Sequence, residues 1–310
     1  MMSVLLFTHR ACLQHDPGPH HPECPDRLRA VMRALDSEEF AALIRDEAPQ
    51  ATVEQLTRIH PRRYVEAILG IRPEPDDQVA LDADTVMSWG SAEAALRAAG
   101  AGVAAVDAVC RNEVRRAFCA VRPPGHHAEP NRPMGFCLFA NAAVAARHAQ
   151  AVHGIERVGV VDFDVHHGNG TQACFAADAT LFYASSHQSP CYPGTGEAHE
   201  TGVGNIVNAP LPPGADGAAF RAAWAERLLP ALEAFAPGLI VISAGFDAHA
   251  RDPLAQLRVR EADFGWLTGA LCGLADRLCG GKVVSLLEGG YDLDALALST
   301  AAHVRALMQA

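Results

Sequence analysis

The chain has 310 residues, 49% of them hydrophobic, which is enough to bury a sizeable core. Its formal net charge is −11 with Lys and Arg scattered, which argues against the basic stripe of a nucleic-acid binder, and no apolar run of about 18 residues predicts a transmembrane helix. Nine cysteines without a CxxC pair, and an N-terminus with no basic region before its apolar residues, argue against a disulfide framework and a signal peptide, so a reducing, cytoplasmic setting is expected.

In chain order, apolar runs at 4–9, 117–121, 158–164, 181–186, 239–245 and 283–290 read as strands. Helical patterns fall between them. A helix starts near Pro25, and Ala-rich stretches cover 91–110 and 141–153. From Ala218 to Phe235, Phe220, Trp224, Leu228, Leu232 and Phe235 form one stripe; after Tyr291, Leu293, Leu296, Val304 and Leu307 form another. Alternating strands and helices predict an α/β fold, with a central, mostly parallel sheet and helices on both faces. No repeat or composition shift divides the chain, so a single domain over 1–310 is expected. Two segments read as surface loops: HDPGPHHPECPDRL at 15–28, whose histidines suggest a second metal site but are better explained as solvated, and the acidic RPEPDDQVALDAD at 72–84.

In parallel sheets, ligands gather outside the carboxyl ends of the strands. The polar residues of this chain collect there. VGVVDFDVHHGNG at 158–170 delivers Asp162, Asp164 and His166 at alternate positions, so a strand running through 164 sends all three side chains one way. Two carboxylates in a buried place call for a cation between them, the alternative being a polar network without an ion. Asp247, after LIVISAG, is either a third ligand or a helix N-cap; His249 either joins it or stands behind it. An Asp–His–Asp set with open positions suits a catalytic zinc or Fe(II) better than a structural site. His126 and His127 in PPGHHAE can direct two rings into a cavity, where a neutral imidazole serves as a base near pH 7. Tyr291, after Gly289 and Gly290, either donates to an oxyanion or packs.

RPPGHHAE…MGFCLF, DFDVHHGNGTQ, SAGFDAHARDPL and LEGGYD together resemble the zinc-dependent histone deacetylase family, in particular its class II and bacterial members, including the acetylpolyamine amidohydrolases. The likeness runs from HHPECPDRL at 20–28 to the C-terminal helix. It implies the three-layer arginase/deacetylase fold and hydrolysis of an N-acyl amine such as acetyl-lysine. Zn2+, or Fe2+, would sit on Asp164, His166 and Asp247. His127 would be general base and then acid, and His126 would give electrostatic help. The family's pairings back them with Asn169 and Asp162 respectively, and Tyr291 would be the oxyanion donor.

The resemblance also implies structural K+ around Asp162, Asp164, His166, Ser185 and Ser186, and a second K+ near Phe175 and Leu181. Gly135, Phe136 and Tyr192 would line a substrate tunnel, and Arg27 an inner channel for acetate. The chain departs from the family at Ala140-Asn141, where Asn-Asn is usual, at Tyr192, where Phe is usual, and in a shortened 187–192 segment. Leu254 stands where polyamine-selective members carry Glu, which tilts the expectation toward acetyl-lysine or another monocationic or apolar acyl-amine. Acetylpolyamine or small-metabolite amides remain alternatives, with an arginase-like ureohydrolase and an inactive acetyl-ligand sensor behind them. No membrane or nucleic-acid partner is expected, and an oligomer is compatible with the sequence.

Overall fold

A computed structural model describes residues 3–309. Its main sheet has eight strands in the order β2-β1-β5-β10-β9-β6-β7-β8, every neighbouring pair parallel. These are β1 (Val4–Thr8), β2 (Ile44–Glu47), β5 (Arg116–Cys119), β6 (Val158–Asp162), β7 (Leu181–Gln188), β8 (Ile206–Leu211), β9 (Leu239–Ala244) and β10 (Val283–Leu287). β3 (Gln78–Ala80) and β4 (Val86–Ser88) form a separate antiparallel pair. The helices Ser91–Cys110 and Asn141–His153 pack together over one face. Pro25–Leu35, Glu261–Cys279, Leu293–Gln309 and the segment 217–235 form the other layer, which gives the expected three layers.

The central strands are covered on both faces, and every residue of β6, β7, β9 and β10 is buried. That is why they read as continuous apolar runs. The two edges went unread. β2 is Ile-Arg-Asp-Glu, fully exposed, and β8 contains Pro210; charge and proline at an edge discourage further strand pairing and also erase the apolar signature.

The stripe from Phe220 to Leu232 is buried as expected, but the helix is interrupted by a π-turn over Trp224–Leu228. Pro230 follows at once; its ring has no N–H to give and crowds the preceding turn, so the wider turn accommodates it. The 72–84 segment is not a plain loop, because it supplies β3 of the small hairpin. No helix among the described residues is long and apolar enough to cross a membrane.

Candidate active site

Five neighbouring strands, β5, β10, β9, β6 and β7, send the loops after their carboxyl ends into one place. The strand expected to run through Asp164 stops at Asp162. Asp164 and His166 therefore do not owe their common direction to the pleat. Instead, Asp162 Oδ1 accepts from the Asp164 N–H at 3.1 Å, and Asp164 Oδ1 accepts from the His166 N–H at 2.9 Å. Two successive side-chain-to-backbone turns reproduce the alternation that the sequence suggested.

Asp247 caps no helix. Its Oδ1 accepts from the Val165 N–H at 2.8 Å, which ties the β9 loop to the β6 loop. His166 Nδ1 lies 3.1 Å from Asp164 Oδ1 and 3.1 Å from Asp247 Oδ2. One ligand atom from each residue falls within 4.8 Å of the others. Such closeness requires Gly289, where a Cβ would stand 2.2 Å from Asp247 Oδ2.

The electrostatics fit a cation here. Burial, reinforced by the charge of Asp164, pushes the Asp247 carboxyl up to about 7. Asp164 is held well below the usual range: burial opposes ionisation, but His126 and His166 outweigh it. Burial also raises Asp162, takes Glu288 to about 7, and takes Asp252 to about 6. Buried carboxylates in this number are costly without a positive charge among them, and Asp–His–Asp is a donor set that divalent metals accept. The residues present fit a metal ion.

The two neighbouring histidines have opposite characters. Their ring centroids are 4.0 Å apart. His126 Nδ1 lies 3.0 Å from Asp162 Oδ2, and although burial alone disfavours its charge, Asp164 and Asp162 raise it to about 10. His127 Nδ1 lies 2.8 Å from the amide oxygen of Asn169. Burial first, and then the charges of His126 and His166, hold it well below the ordinary histidine value. The surroundings thus favour the charged form of His126 and the neutral form of His127.

The pocket in front of these groups has a volume of about 230 Å³. Gly135, Phe136, Tyr192 and Leu254 line it, with His127, His166 and Tyr291 beside them. Phe136 adopts a left-handed φ of 68°, and its N–H is held by the Thr85 hydroxyl at 3.1 Å. Strain of this kind collects at functional sites. The Tyr291 ring meets Phe136 edge-on at 5.9 Å and carries the Arg27 guanidinium 4.9 Å from its centroid. Burial raises its phenol well above the ordinary value against the opposing charge of Arg27, so it remains a proton donor.

Arg27 itself is fully buried, and its donors go to Glu23 and to the carbonyls of Glu288 and Gly290. It therefore braces the loop that carries Tyr291. His249 does not join the cluster: its Nε2 lies 3.2 Å from Glu261 and its Nδ1 accepts from the Arg251 N–H. Of the three histidines at 15–28, His20 is exposed as expected, whereas the other two are not simply solvated. His15 is buried on Glu23, and His21 packs edge-on against Phe136 and reaches the Asp84 carbonyl at 3.1 Å.

Ser185 and Ser186 are buried in β7; Ser185 is in register with Asp162, and Ser186 accepts from the Trp224 indole at 2.9 Å. Near the expected second potassium position, the carbonyls of Phe175, Asp178 and Leu181 converge at 2.9, 3.0 and 2.6 Å on the Asn205 amide nitrogen, whose two N–H groups are fewer than the three acceptors. Three polar residues of the site escaped the sequence reading. Asp84 lines the pocket and accepts from the Gly135 N–H. Glu288 takes the N–H groups of Gly125 and His126 and the Ser243 hydroxyl. Glu23 bridges Arg27 and Arg122. The EGGY and HPECP motifs contained two of them, but only a contact between distant segments marks their use.

A parallel α/β/α sheet with an Asp–His–Asp cluster and a histidine pair at its strand ends is the arginase/deacetylase fold. The crystal structure of the HDA15 HD domain matches it at a TM-score of 0.92 with 36% identity, over 99% of this chain and 88% of that one. The chain belongs to the histone deacetylase family, whose domain matches residues 21–307. It is 40% identical to histone deacetylase 14, chloroplastic, of Arabidopsis thaliana, over 98% of this chain and 76% of that protein. It is 39% identical to the histone deacetylase-like amidohydrolase of Pseudomonas aeruginosa, over 92% of this chain and 80% of that protein. The chain is thus a hydrolytic deacetylase of this family.

Proposed function

We propose that the protein removes acetyl or another short acyl group from an amine such as acetyl-lysine, within one catalytic domain, with Zn2+ held by Asp164, His166 and Asp247. The observation that carries this reading is the buried Asp–His–Asp cluster next to a neutral His127 whose Nδ1 is tied to Asn169. Zinc at such a site supplies Lewis acidity toward the amide carbonyl and makes a water more acidic. His127 Nε2 takes a proton from the attacking water as the new C–O bond forms. Tyr291 donates its hydroxyl to the oxyanion, and the cationic His126 adds favourable charge nearby. His127 then returns the proton to the amine nitrogen as the C–N bond breaks, releasing amine and carboxylic acid. Structural K+ near Asp162, Asp164, His166, Ser185 and Ser186 is part of the proposal. The dinuclear alternative lacks support, since Gly168 offers no ligand and His249 is engaged elsewhere.

For the substrate, Leu254 at the pocket favours a monocationic or apolar acyl-amine. One observation favours the second reading, an acetylpolyamine: Asp84 lines the same pocket with Asp82 beside it, and these carboxylates can attract a distal ammonium. The test is hydrolysis of acetyl-lysine peptides and acetylpolyamines, with and without a chelator, by wild type and Leu254→Glu. Chelator-sensitive turnover is expected, greater on acetyl-lysine, with preference moving toward polyamines in the variant. No turnover of any acyl-amine would favour a ligand sensor, and an unmoved preference would remove Leu254 as the selector.

A further inference from the structure

We infer that Glu129 is a positioning residue that sets the tautomer of His127 through the side-chain amide of Asn169. This rests on the proposed role of His127 as base. A side-chain amide has two ends, an acceptor oxygen and a donor nitrogen, and can turn either toward a neighbour. Asn169 is buried, with its oxygen 2.8 Å from His127 Nδ1. Its nitrogen donates to Glu129 Oε1 at 3.0 Å and contacts Met134 Sδ at 3.3 Å.

An ionised carboxylate can only accept, so the NH2 end must face Glu129. The carbonyl end must then face His127, which leaves the imidazole one way to satisfy it: by donating from Nδ1. The lone pair consequently sits on Nε2, the nitrogen that has to receive a proton. Turned the other way, the amide would place a donor against Nδ1, move the proton to Nε2, and leave a neutral ring unable to accept there. The thioether of Met134 is a weak acceptor and cannot by itself fix the amide.

The loop around Glu129 is built to hold it. Glu129 N–H donates to the Arg132 carbonyl at 3.0 Å, and Arg132 N–H returns a longer bond at 3.4 Å. The next residue, Pro130, accepts from buried His60 Nδ1 at 2.9 Å, while His60 Nε2 accepts from the Ala140 N–H. From the other side the helix Asn169–Phe175 is docked by its Thr171 N–H on the His126 carbonyl at 3.1 Å. Both ends of the Glu129–Asn169 bond are thereby anchored.

The test is a set of variants: Glu129→Ala, Glu129→Gln, Asn169→Asp and the pair Glu129→Ala/Asn169→Asp, with His127→Ala as control. Glu129→Ala should lower kcat at least about tenfold with KM within about twofold, since the base acts only in the chemical step. Glu129→Gln should recover only part of it, because a glutamine amide can present either its accepting oxygen or its donating nitrogen to Asn169. The decisive arm is the pair. A carboxylate at 169 has two equivalent acceptors and cannot be misoriented, so removing Glu129 there should cost nothing or should raise kcat by relieving like charges.

The same loss in both backgrounds would mean that Glu129 merely holds the loop, and wild-type kinetics in Glu129→Ala would overturn the inference outright. Imidazole nitrogen shifts of His127 in 15N-histidine protein give a readout independent of turnover. They should report Nδ1–H in wild type and a mixture or the other tautomer in Glu129→Ala; unchanged shifts would also overturn it. If His127→Ala keeps full turnover, the base assignment itself fails; if it loses turnover while Glu129→Ala does not, only the role of Glu129 fails.

Discussion

The molecule contains two clusters built from the same residue types, and they behave oppositely. Asp164, His166 and Asp247 lie at the strand ends; Asp107, His148 and His153 lie on the paired helices Ser91–Cys110 and Asn141–His153. Each brings three ligand atoms within 4.8 Å, so ligand count and spacing do not distinguish them. Charge does. The first has two carboxylates to one imidazole, with Asp162, Asp252 and Glu288 buried nearby.

The second has one carboxylate oxygen serving two imidazoles at 2.7 and 2.6 Å, with Arg111 at 3.5 Å from the same side chain. Its outer nitrogen argues further against an ion: His148 Nδ1 faces the Arg58 guanidinium at 2.6 Å. A histidine bound to metal through one nitrogen needs an acceptor at the other, and a guanidinium offers only donors. One cluster has carboxylates in excess of its imidazoles; the other has imidazoles in excess of its carboxylate.

The largest expected effect tests that contrast directly. Metal analysis of purified protein should find one divalent ion per chain, none in Asp247→Ala, and still one in His153→Ala. Asp247→Ala should also lose at least about a hundredfold in kcat/KM, since even partners behind a metal's ligands cost 10–100-fold when removed. A second equivalent that disappears with His153→Ala would break the comparison.

A smaller effect comes from making the two histidine pairs alike. On the helices both rings share a carboxylate; at the strand ends His126 has Asp162 while His127 has only an amide. Asn169→Asp gives His127 a carboxylate too. A negative partner favours the charged imidazole, so the depressed His127 value must rise. The base is active when neutral, and the acidic limb of kcat/KM against pH should move to higher pH. An unmoved limb would mean that His127 is not the group titrating there.

Legibility in the sequence follows the same line between local and non-local causes. β6, β9 and β10 could be read because burial on both faces writes a continuous apolar run. β2 could not, because an exposed edge strand spelled Ile-Arg-Asp-Glu carries no such record. The candidate ligands were legible because two strand ends, those of β6 and β9, deliver them within short motifs. Even there the alternating pattern does not reveal its cause: side-chain turns, not the pleat, align Asp162, Asp164 and His166. Asp84 and Glu288 stayed hidden for a different reason. Asp84 reaches the pocket only because the 72–84 segment folds against Gly135, and Glu288 matters only because Gly125 and His126 dock on it. No periodicity encodes an approach between segments so far apart in the chain.

The smallest effect belongs to the helix cluster, where the role left for Asp107 is structural. Burial opposes its charge, but its bonds to His148 and His153 outweigh that and lower its pKa below 3.8. A carboxyl with a folded value below its unfolded one binds fewer protons when folded, so it stabilises the fold fully above about pH 3.8 and loses that contribution as pH falls through the folded value. Asp107→Asn keeps the shape but removes the charge and one of the two acceptors. It should cost about 1–2 kcal/mol at pH 7, toward the lower end because the side chain is 26% exposed. Activity and metal content should not change. Urea melts of both proteins from pH 7 down to the acid limit of the fold should show the gap constant at first and narrowing only below about pH 4. A gap that closes instead between pH 7 and 6 would assign the contribution to histidine titration, and a loss of bound metal with it would erase the difference between the two clusters.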